Sequence, residues 1–241
     1  MTFLKFLSKT YNALLDAVFP PRCIFCDRVN PLNNGICSEC ISKAKTVEDP
    51  VCIKCGMNIK NCECKSKSRF YDGLCAPFEY EGVVRKGIHI FKFDGQRDNY
   101  RYFSYLMAQC IEKRFGSIDF DVVLSVPATE KSIAGRGYDQ SSLLARGVAK
   151  ELGLVYDCDV IKKIYETKSQ HFLSNLLRRG NLTGAFEVVD KSKVERKTVL
   201  LCDDVSTTGE TLDECSKMLY LAGAEKIFCS VIALTQIKEK S

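Results

Sequence analysis

The run Val199-Leu200-Leu201-Cys202-Asp203-Asp204-Val205-Ser206-Thr207-Thr208-Gly209-Glu210-Thr211-Leu212 (199–212) decides the fold. Four apolar residues lead into two adjacent carboxylates and a Ser/Thr/Gly turn. A segment with Leu212, Cys215, Met218, Leu219 and Ala222 at helical spacing follows. An unbroken apolar run suits a strand buried on both faces, so the stretch reads as strand (197–205), turn, and helix (210–222) closed by Gly223. In open α/β sheets, ligands bind beyond the carboxyl ends of strands. Residues 206–209 fall at such an end and at a helix N-terminus, where backbone N–H groups and the helix dipole can cradle an anion. Thr207 and Thr208 add hydroxyl donors, and Gly209 allows close backbone approach. This is not a P-loop, because GxxxxGK[ST] is absent. Asp203 and Asp204 are out of place beside an anion unless something needs them. A sugar diol does, and the same carboxylates attract Mg²⁺. Phosphate, vicinal hydroxyls and Mg²⁺ together describe a ribose 5-phosphate. Helix capping is the plainer use for paired aspartates, and the full strand, Asp-Asp, Thr-Thr-Gly, helix run weighs against it.

The same reading extends outward. Residues 121–127, DVVLSVP, form a buried strand; 139–152 a helix closed by Gly153; 188–191 the end of a strand; and 226–234 a further strand. Before them, 78–82 reads as strand and turn, 83–93 is mixed, and 99–115 is a helix. Strand and helix alternating at these lengths predict an α/β fold, a mostly parallel sheet flanked by helices.

The chain has 241 residues, 46% of them hydrophobic and 27% charged, enough for a buried core and against disorder. Of its 14 cysteines, eight lie between Cys23 and Cys64; those at 75, 110, 158, 202, 215 and 229 are expected to be small core residues. The eight are spaced as Cys23-x2-Cys26, Cys37-x2-Cys40, Cys52-x2-Cys55 and Cys62-x-Cys64. A CxxC turn aims two thiolates at one ion, and two turns complete a tetrahedron. The simplest arrangement is two closed, structural Zn²⁺ sites, one on Cys23, Cys26, Cys37 and Cys40, the other on Cys52, Cys55, Cys62 and Cys64. The spacing also admits a cross-braced pairing, and the ligand type also suits an iron–sulfur cluster. Metal matters for the charge. Eight thiolates on two Zn²⁺ carry a net −4, which lowers the formal +5 to +1 and removes most of the case for a nucleic-acid surface.

Residues 3–19 place Phe3, Leu4, Leu7, Tyr11, Leu14, Leu15 and Val18 on one helical face, best read as docking on the protein itself, with a membrane or partner surface as the alternative. Lys5, Lys9 and Asp16 interrupt the segment and no small-residue cleavage site follows, so a secretory signal is not expected. No stretch suits a membrane span. The thiolate cluster and the missing signal predict a cytoplasmic location. KSKSRFYD (65–72) reads as a linker. The expected division is 1–70 for the helix and metal ribbon and 71–241 for the α/β unit.

Residues 199–212 resemble the phosphoribosyl pyrophosphate (PRPP) signature of type I phosphoribosyltransferases. The segment LSVPATEKSIAGRGYDQSSLLARGVAKELGL (124–154) resembles the ComF family, as do 78–95, 169–188 and the eight-cysteine N-terminus, which is similar to that family's double zinc ribbon. The resemblance covers nearly the whole chain. It implies that Asp203 and Asp204 hold the ribose 2- and 3-hydroxyls, and that Ser206, Thr207, Thr208, Gly209 and Thr211 hold the 5-phosphate. Ala128, Thr129, Glu130 and Lys131 match the pyrophosphate loop. There the chain departs from the family: Thr129 replaces the second proline of V-P-x-P and Glu130 adds negative charge, leaving Lys131 and Arg136 as the cations. A mobile hood would lie in 165–182, with Lys168, Gln170 and Arg178.

By resemblance the chain is expected to be a Mg²⁺-dependent phosphoribosyltransferase acting on PRPP, linked to natural competence and DNA uptake. Two alternatives stand beside it: a PRPP-binding module without turnover, and an adaptor that binds single-stranded DNA or competence proteins. The ribbon offers basic residues for DNA, but only Phe25, Phe70 and Tyr71 as stacking surface.

Overall fold

The computed structural model describes residues 20–30, 35–62, 64, 68–164 and 185–235, apart from the Lys131 side chain. The expected helix at 3–19 and the expected hood residues Lys168, Gln170 and Arg178 lie outside the described residues. In chain order the elements are α1 (Ser38–Lys43), β1 (Gly73–Cys75), β2 (Phe78–Glu79), α2 (Gly82–Phe93), α3 (Tyr100–Phe115), β3 (Val122–Ser125), α4 (Glu130–Arg136), α5 (Gln140–Leu152), β4 (Ile161–Lys163), β5 (Phe186–Val188), β6 (Thr198–Ser206), α6 (Glu210–Leu221) and β7 (Lys226–Leu234).

The main sheet runs β1-β7-β6-β3, with β2 following β1 along the same edge of β7, and every pairing is parallel. Leu200 is the registration point, paired with Val123 on one side and Phe228 on the other. Period-2 alternation sends Leu200, Cys202, Phe228 and Ile232 to one face, against Ile88, Phe91, Phe103, Met107, Leu144 and Val148 of α2, α3 and α5. It sends Val199, Leu201, Ile227, Cys229 and Val231 to the other face, against Leu212, Cys215 and Leu219 of α6. Both faces are covered, which is why Val199–Cys202 of β6 and most of β7 are apolar on both sides. β4 and β5 form a separate antiparallel pair, Ile161 facing Val188.

Three local readings need correction. Residues 83–93 are helical: Val84, Gly87, Ile88 and Phe91 fall on one buried face of α2. The strand expected to end at 188–191 stops at Val188, where Asp190 caps a short 3-10 turn. Among the six scattered cysteines, Cys158 is exposed and Cys110 half-buried; the other four are buried.

The metal ribbon is built into this core. Ile24 and Phe25, in the Cys23–Cys26 turn, are fully buried. The Phe25 ring lies 5.4 Å from Phe78, edge-on, and 6.2 Å from Phe103. Gly87 makes this possible: a Cβ there would stand 2.5 Å from Phe25 Cδ1 and 2.6 Å from the Ile24 carbonyl. The ribbon also covers the sheet's outer edge. Leu74 of β1 donates its N–H to the Ile53 carbonyl, Glu79 of β2 donates to Lys45, and Val47 donates to Pro77. At the opposite edge, Val123 donates to the Val155 carbonyl. The segment read as a linker is docked where it is described: Tyr71 is buried, and Asp72 exchanges backbone and side-chain bonds with Ile227.

Candidate functional site

Strand β6 delivers Asp203 and Asp204 to its carboxyl end, and the chain then turns through Val205–Gly209 into α6. Gly209 adopts φ +76°, in the left-handed region that L side chains rarely enter. Ser206 is buried and gives its carbonyl to the Thr235 N–H, which ties the start of the turn to the end of β7. Thr207, Thr208 and Thr211 are exposed around the helix N-terminus. The expected loop residues are therefore together, at one strand end, where the Thr208 hydroxyl accepts from the Glu210 N–H at 3.4 Å.

The two carboxylates differ in environment. Asp203 Oδ1 accepts from Ser141 Oγ at 2.6 Å and from the Asp204 N–H at 2.8 Å. Ser141 lies in the first turn of α5 and is itself buried. Desolvation, followed by the neighbouring Asp204 charge, pushes the Asp203 carboxyl up to about 7. Asp204 instead meets the Lys92 ammonium at 2.7 Å, both side chains four-fifths or more buried. Lys92 stands at the C-terminal end of α2, where the helix dipole also favours a cation.

The expected pyrophosphate loop leads into α4. Thr129 caps that helix, its Oγ1 accepting from the Ser132 N–H at 3.0 Å. The Ala128 N–H points to Asp139 Oδ2 at 3.3 Å. Glu130 opens the first turn of α4. Arg136 donates to Gln140 Oε1 at 2.7 Å and lies 5.1 Å above the Phe93 ring, beside Lys92. Lys92, Ser141 and Gln140 were absent from the sequence-based site. Lys92 lay within the family-like segment 78–95, and only that resemblance could have flagged it.

Behind the phosphate-type turn stands a third group of residues. Arg69 donates to the Thr208 carbonyl at 2.5 Å and pairs with Asp213 at 3.7 Å. The Phe70 N–H also bonds Asp213, at 2.6 Å. These residues lie on the arm leaving the second cysteine cluster.

The eight clustered cysteines form two separate groups, Cys23/Cys26/Cys37/Cys40 and Cys52/Cys55/Cys62/Cys64, with the sulfurs of each set within 4.8 Å of one another. The sequential pairing holds and the cross-braced one does not. Sγ···Sγ distances of 3.8 Å (Cys26–Cys37), 3.9 Å (Cys52–Cys64) and 3.7 Å (Cys55–Cys62) match the edge of about 3.8 Å that a tetrahedron with Zn–S bonds of about 2.3 Å requires. That spacing fits a single ion and is too tight for a multi-iron cluster. All four positions in each set are thiolates, so these are closed structural sites.

Fold and site together define a phosphoribosyltransferase-like α/β protein carrying an N-terminal double zinc ribbon. A family model described as a double zinc ribbon domain matches residues 14–76, and one described as a phosphoribosyl transferase domain matches 138–241. Competence protein F of Haemophilus influenzae is 31% identical over 216 residues, which are 86% of this chain and 93% of that protein. The chain belongs to the competence protein F (ComF) family. The DNA utilization protein YhgH of Escherichia coli K12 is 28% identical, over 80% of this chain and 87% of that protein. Competence protein ComFC of Streptococcus pneumoniae is 27% identical, over 80% of this chain and 84% of that one. No helix among the described residues is long and apolar enough to cross a membrane.

Proposed function

We propose that the turn after β6 binds the ribose 5-phosphate part of PRPP and that the protein transfers the phosphoribosyl group to an acceptor. The observation that carries this reading is the juxtaposition of the Ser206–Gly209 turn, at a helix N-terminus, with the Asp203–Asp204 pair on the same strand. Ser206, Thr207, Thr208, Gly209 and Thr211 take the 5-phosphate through amides and hydroxyls. Asp203 and Asp204 accept from the ribose hydroxyls. Oxygen-only donors suit Mg²⁺, and Asp203 and Asp204 would hold it; when bound it neutralises diphosphate charge. In the transfer, the bond from the anomeric carbon to pyrophosphate breaks, the acceptor bonds that carbon, and positive charge develops on the sugar ring, as in glycoside hydrolysis. The protein's part is to position and to balance charge. Lys92 keeps Asp204 compensated before ligand arrives, and Arg136, at the end of α4, is a cation that the expected diphosphate loop leads to.

One observation favours the non-catalytic alternative, a PRPP sensor. The Ala128 N–H already faces Asp139 and Arg136 is held by Gln140, so the leaving group meets few free donors. The names of the relatives support a role in DNA uptake, and the thiolate sites support a reducing, cytoplasmic location. The deciding experiment is calorimetric titration of the zinc-loaded protein with PRPP, with and without Mg²⁺, followed by a screen of bases and nucleotides for pyrophosphate release. Saturable, Mg²⁺-dependent binding with release supports the transferase. Binding without release under any acceptor supports the sensor. No binding at millimolar PRPP rejects both.

A further inference from the structure

We infer that Arg69, on the arm leaving the second zinc ribbon, is a positioning residue of the phosphate turn, so that ligand binding there is coupled to metal retention by Cys52, Cys55, Cys62 and Cys64. The inference rests on the proposed ribose 5-phosphate site and assigns part of its construction to the ribbon.

The peptide between Thr208 and Gly209 is the point of action. In a trans peptide the carbonyl and the following N–H point in opposite directions. Arg69 Nη2 holds the Thr208 carbonyl at 2.5 Å, which turns the Gly209 N–H away from Arg69 and toward the opposite side of the turn. The same guanidinium stands 3.7 Å from Asp213, in the first turn of α6. Asp213 would otherwise set a negative charge against an incoming phosphate at the helix N-terminus. One side chain, 15% exposed, thus orients an anion-binding amide and compensates a partly buried acid in the first turn of α6.

Arg69 is held by the ribbon through a short, packed path. The Phe70 N–H is anchored on Asp213 at 2.6 Å, and Tyr71 is buried with its hydroxyl 3.2 Å from where a Gly209 Cβ would stand. Three residues on, Leu74 donates to Ile53, inside the Cys52–Cys55 turn. Gly56 closes that turn at φ +72°, and a Cβ there would lie 2.7 Å from the Leu74 carbonyl and 2.8 Å from Leu234 Cδ1. A cavity of about 50 Å³ lies between Cys55, Met57 and Cys64 on one side and Ser206–Gly209 on the other. It has room for a few waters and none for a sugar phosphate. Its walls are the metal turn and the back of the ligand turn, so a change in either is felt by the other.

Coupling of this kind is reciprocal: the factor by which metal loss weakens ligand binding is the factor by which ligand strengthens metal retention. The test uses full-length protein holding two zinc ions per chain. Zinc is stripped slowly by a chelator while a maleimide labels each freed thiol, and mass spectrometry reads the two cysteine sets separately. Saturating PRPP should slow labelling of Cys52, Cys55, Cys62 and Cys64 about tenfold and leave Cys23, Cys26, Cys37 and Cys40 unchanged. Arg69→Ala should weaken PRPP about tenfold by calorimetry and abolish that protection, with Arg69→Lys intermediate. The wild-type labelling needs no variant, so a poorly folded Arg69→Ala cannot obscure the result. Equal labelling of the second set with and without PRPP, in a wild type that binds PRPP, overturns the coupling and leaves the ligand site standing. A wild type that binds neither PRPP nor ribose 5-phosphate overturns the site and the coupling together.

Discussion

Lys92 and Asp204 form an ion pair at 2.7 Å across the mouth of the sheet, the lysine from the end of α2 and the aspartate from the end of β6. The lysine supplies the charge balance that two adjacent carboxylates need. Removing one partner of a largely buried pair leaves the other uncompensated. Lys92→Gln is therefore expected to lower stability by about 3 kcal/mol, read as a shifted urea midpoint. It should also make ligand binding more dependent on Mg²⁺. A midpoint within error of wild type would show that solvent already satisfies Asp204.

The double substitution Asp203→Asn with Asp204→Asn should abolish PRPP binding while circular dichroism and zinc content stay as in wild type. The amides remove the charge and the acceptor strength that ribose hydroxyls and Mg²⁺ require. Unchanged affinity in the double variant would place the sugar elsewhere.

Asp203 makes stability depend on pH in a defined direction. Its folded value of about 7 lies above the roughly 3.9 of an unfolded aspartate. In that window the folded state binds the extra proton, so stability declines as pH rises from about 4 to about 7. Asp203→Asn should flatten this stretch of the curve and raise the melting temperature at pH 7.5. PRPP, which needs the ionised acceptor, should bind wild type more tightly at pH 8 than at pH 6. A wild-type profile parallel to that of Asp203→Asn between pH 4 and 7 would contradict the assignment.

Phe25 joins the first zinc turn to the core shared by α2 and α3. Phe25→Ala should cost about 3–5 kcal/mol and lower the melting temperature of the whole α/β unit. Stripping zinc from Cys23, Cys26, Cys37 and Cys40 should act in the same direction by freeing the turn that holds Phe25. An α/β transition unmoved by either treatment would show that the two units melt independently.

Gly87→Ala is the complementary test, because helix propensity alone would favour alanine. The clash with Phe25 and the Ile24 carbonyl should make it destabilising by about 1–3 kcal/mol. A stabilised variant would show that the ribbon can slide off α2.

The pattern of what could be read follows from where the information sits. Residues 199–212 carry strand, acid pair, turn and helix start in one contiguous run, so fold class and phosphate turn were legible together. The CxxC spacings were legible for the same reason. Lys92, Ser141 and Arg69 reach the site from afar: Ser141 is 62 positions from Asp203, and Arg69 is 139 from Thr208. No local pattern marks such a partner. Arg69 sat among charged residues that read as a linker. Helix α2 was obscured by Gly87, a residue that weakens helices and is there to admit Phe25. Cys158 looked like its buried counterparts by type alone, although it is flanked by Asp157 and Asp159 rather than by a hydrophobic run.

The bonds from Leu74 to Ile53, Glu79 to Lys45 and Val47 to Pro77 bear on how the chain behaves at high concentration. A parallel sheet that ends in short strands leaves a row of amides and carbonyls able to recruit another copy. Here the ribbon takes up that row, and the ribbon is folded by its metal. Zinc is therefore expected to guard against edge-to-edge association as well as to shape its own turns. When it is lost, the same backbone groups become a template for aggregation, and the metal-free chain should leave solution before it unfolds.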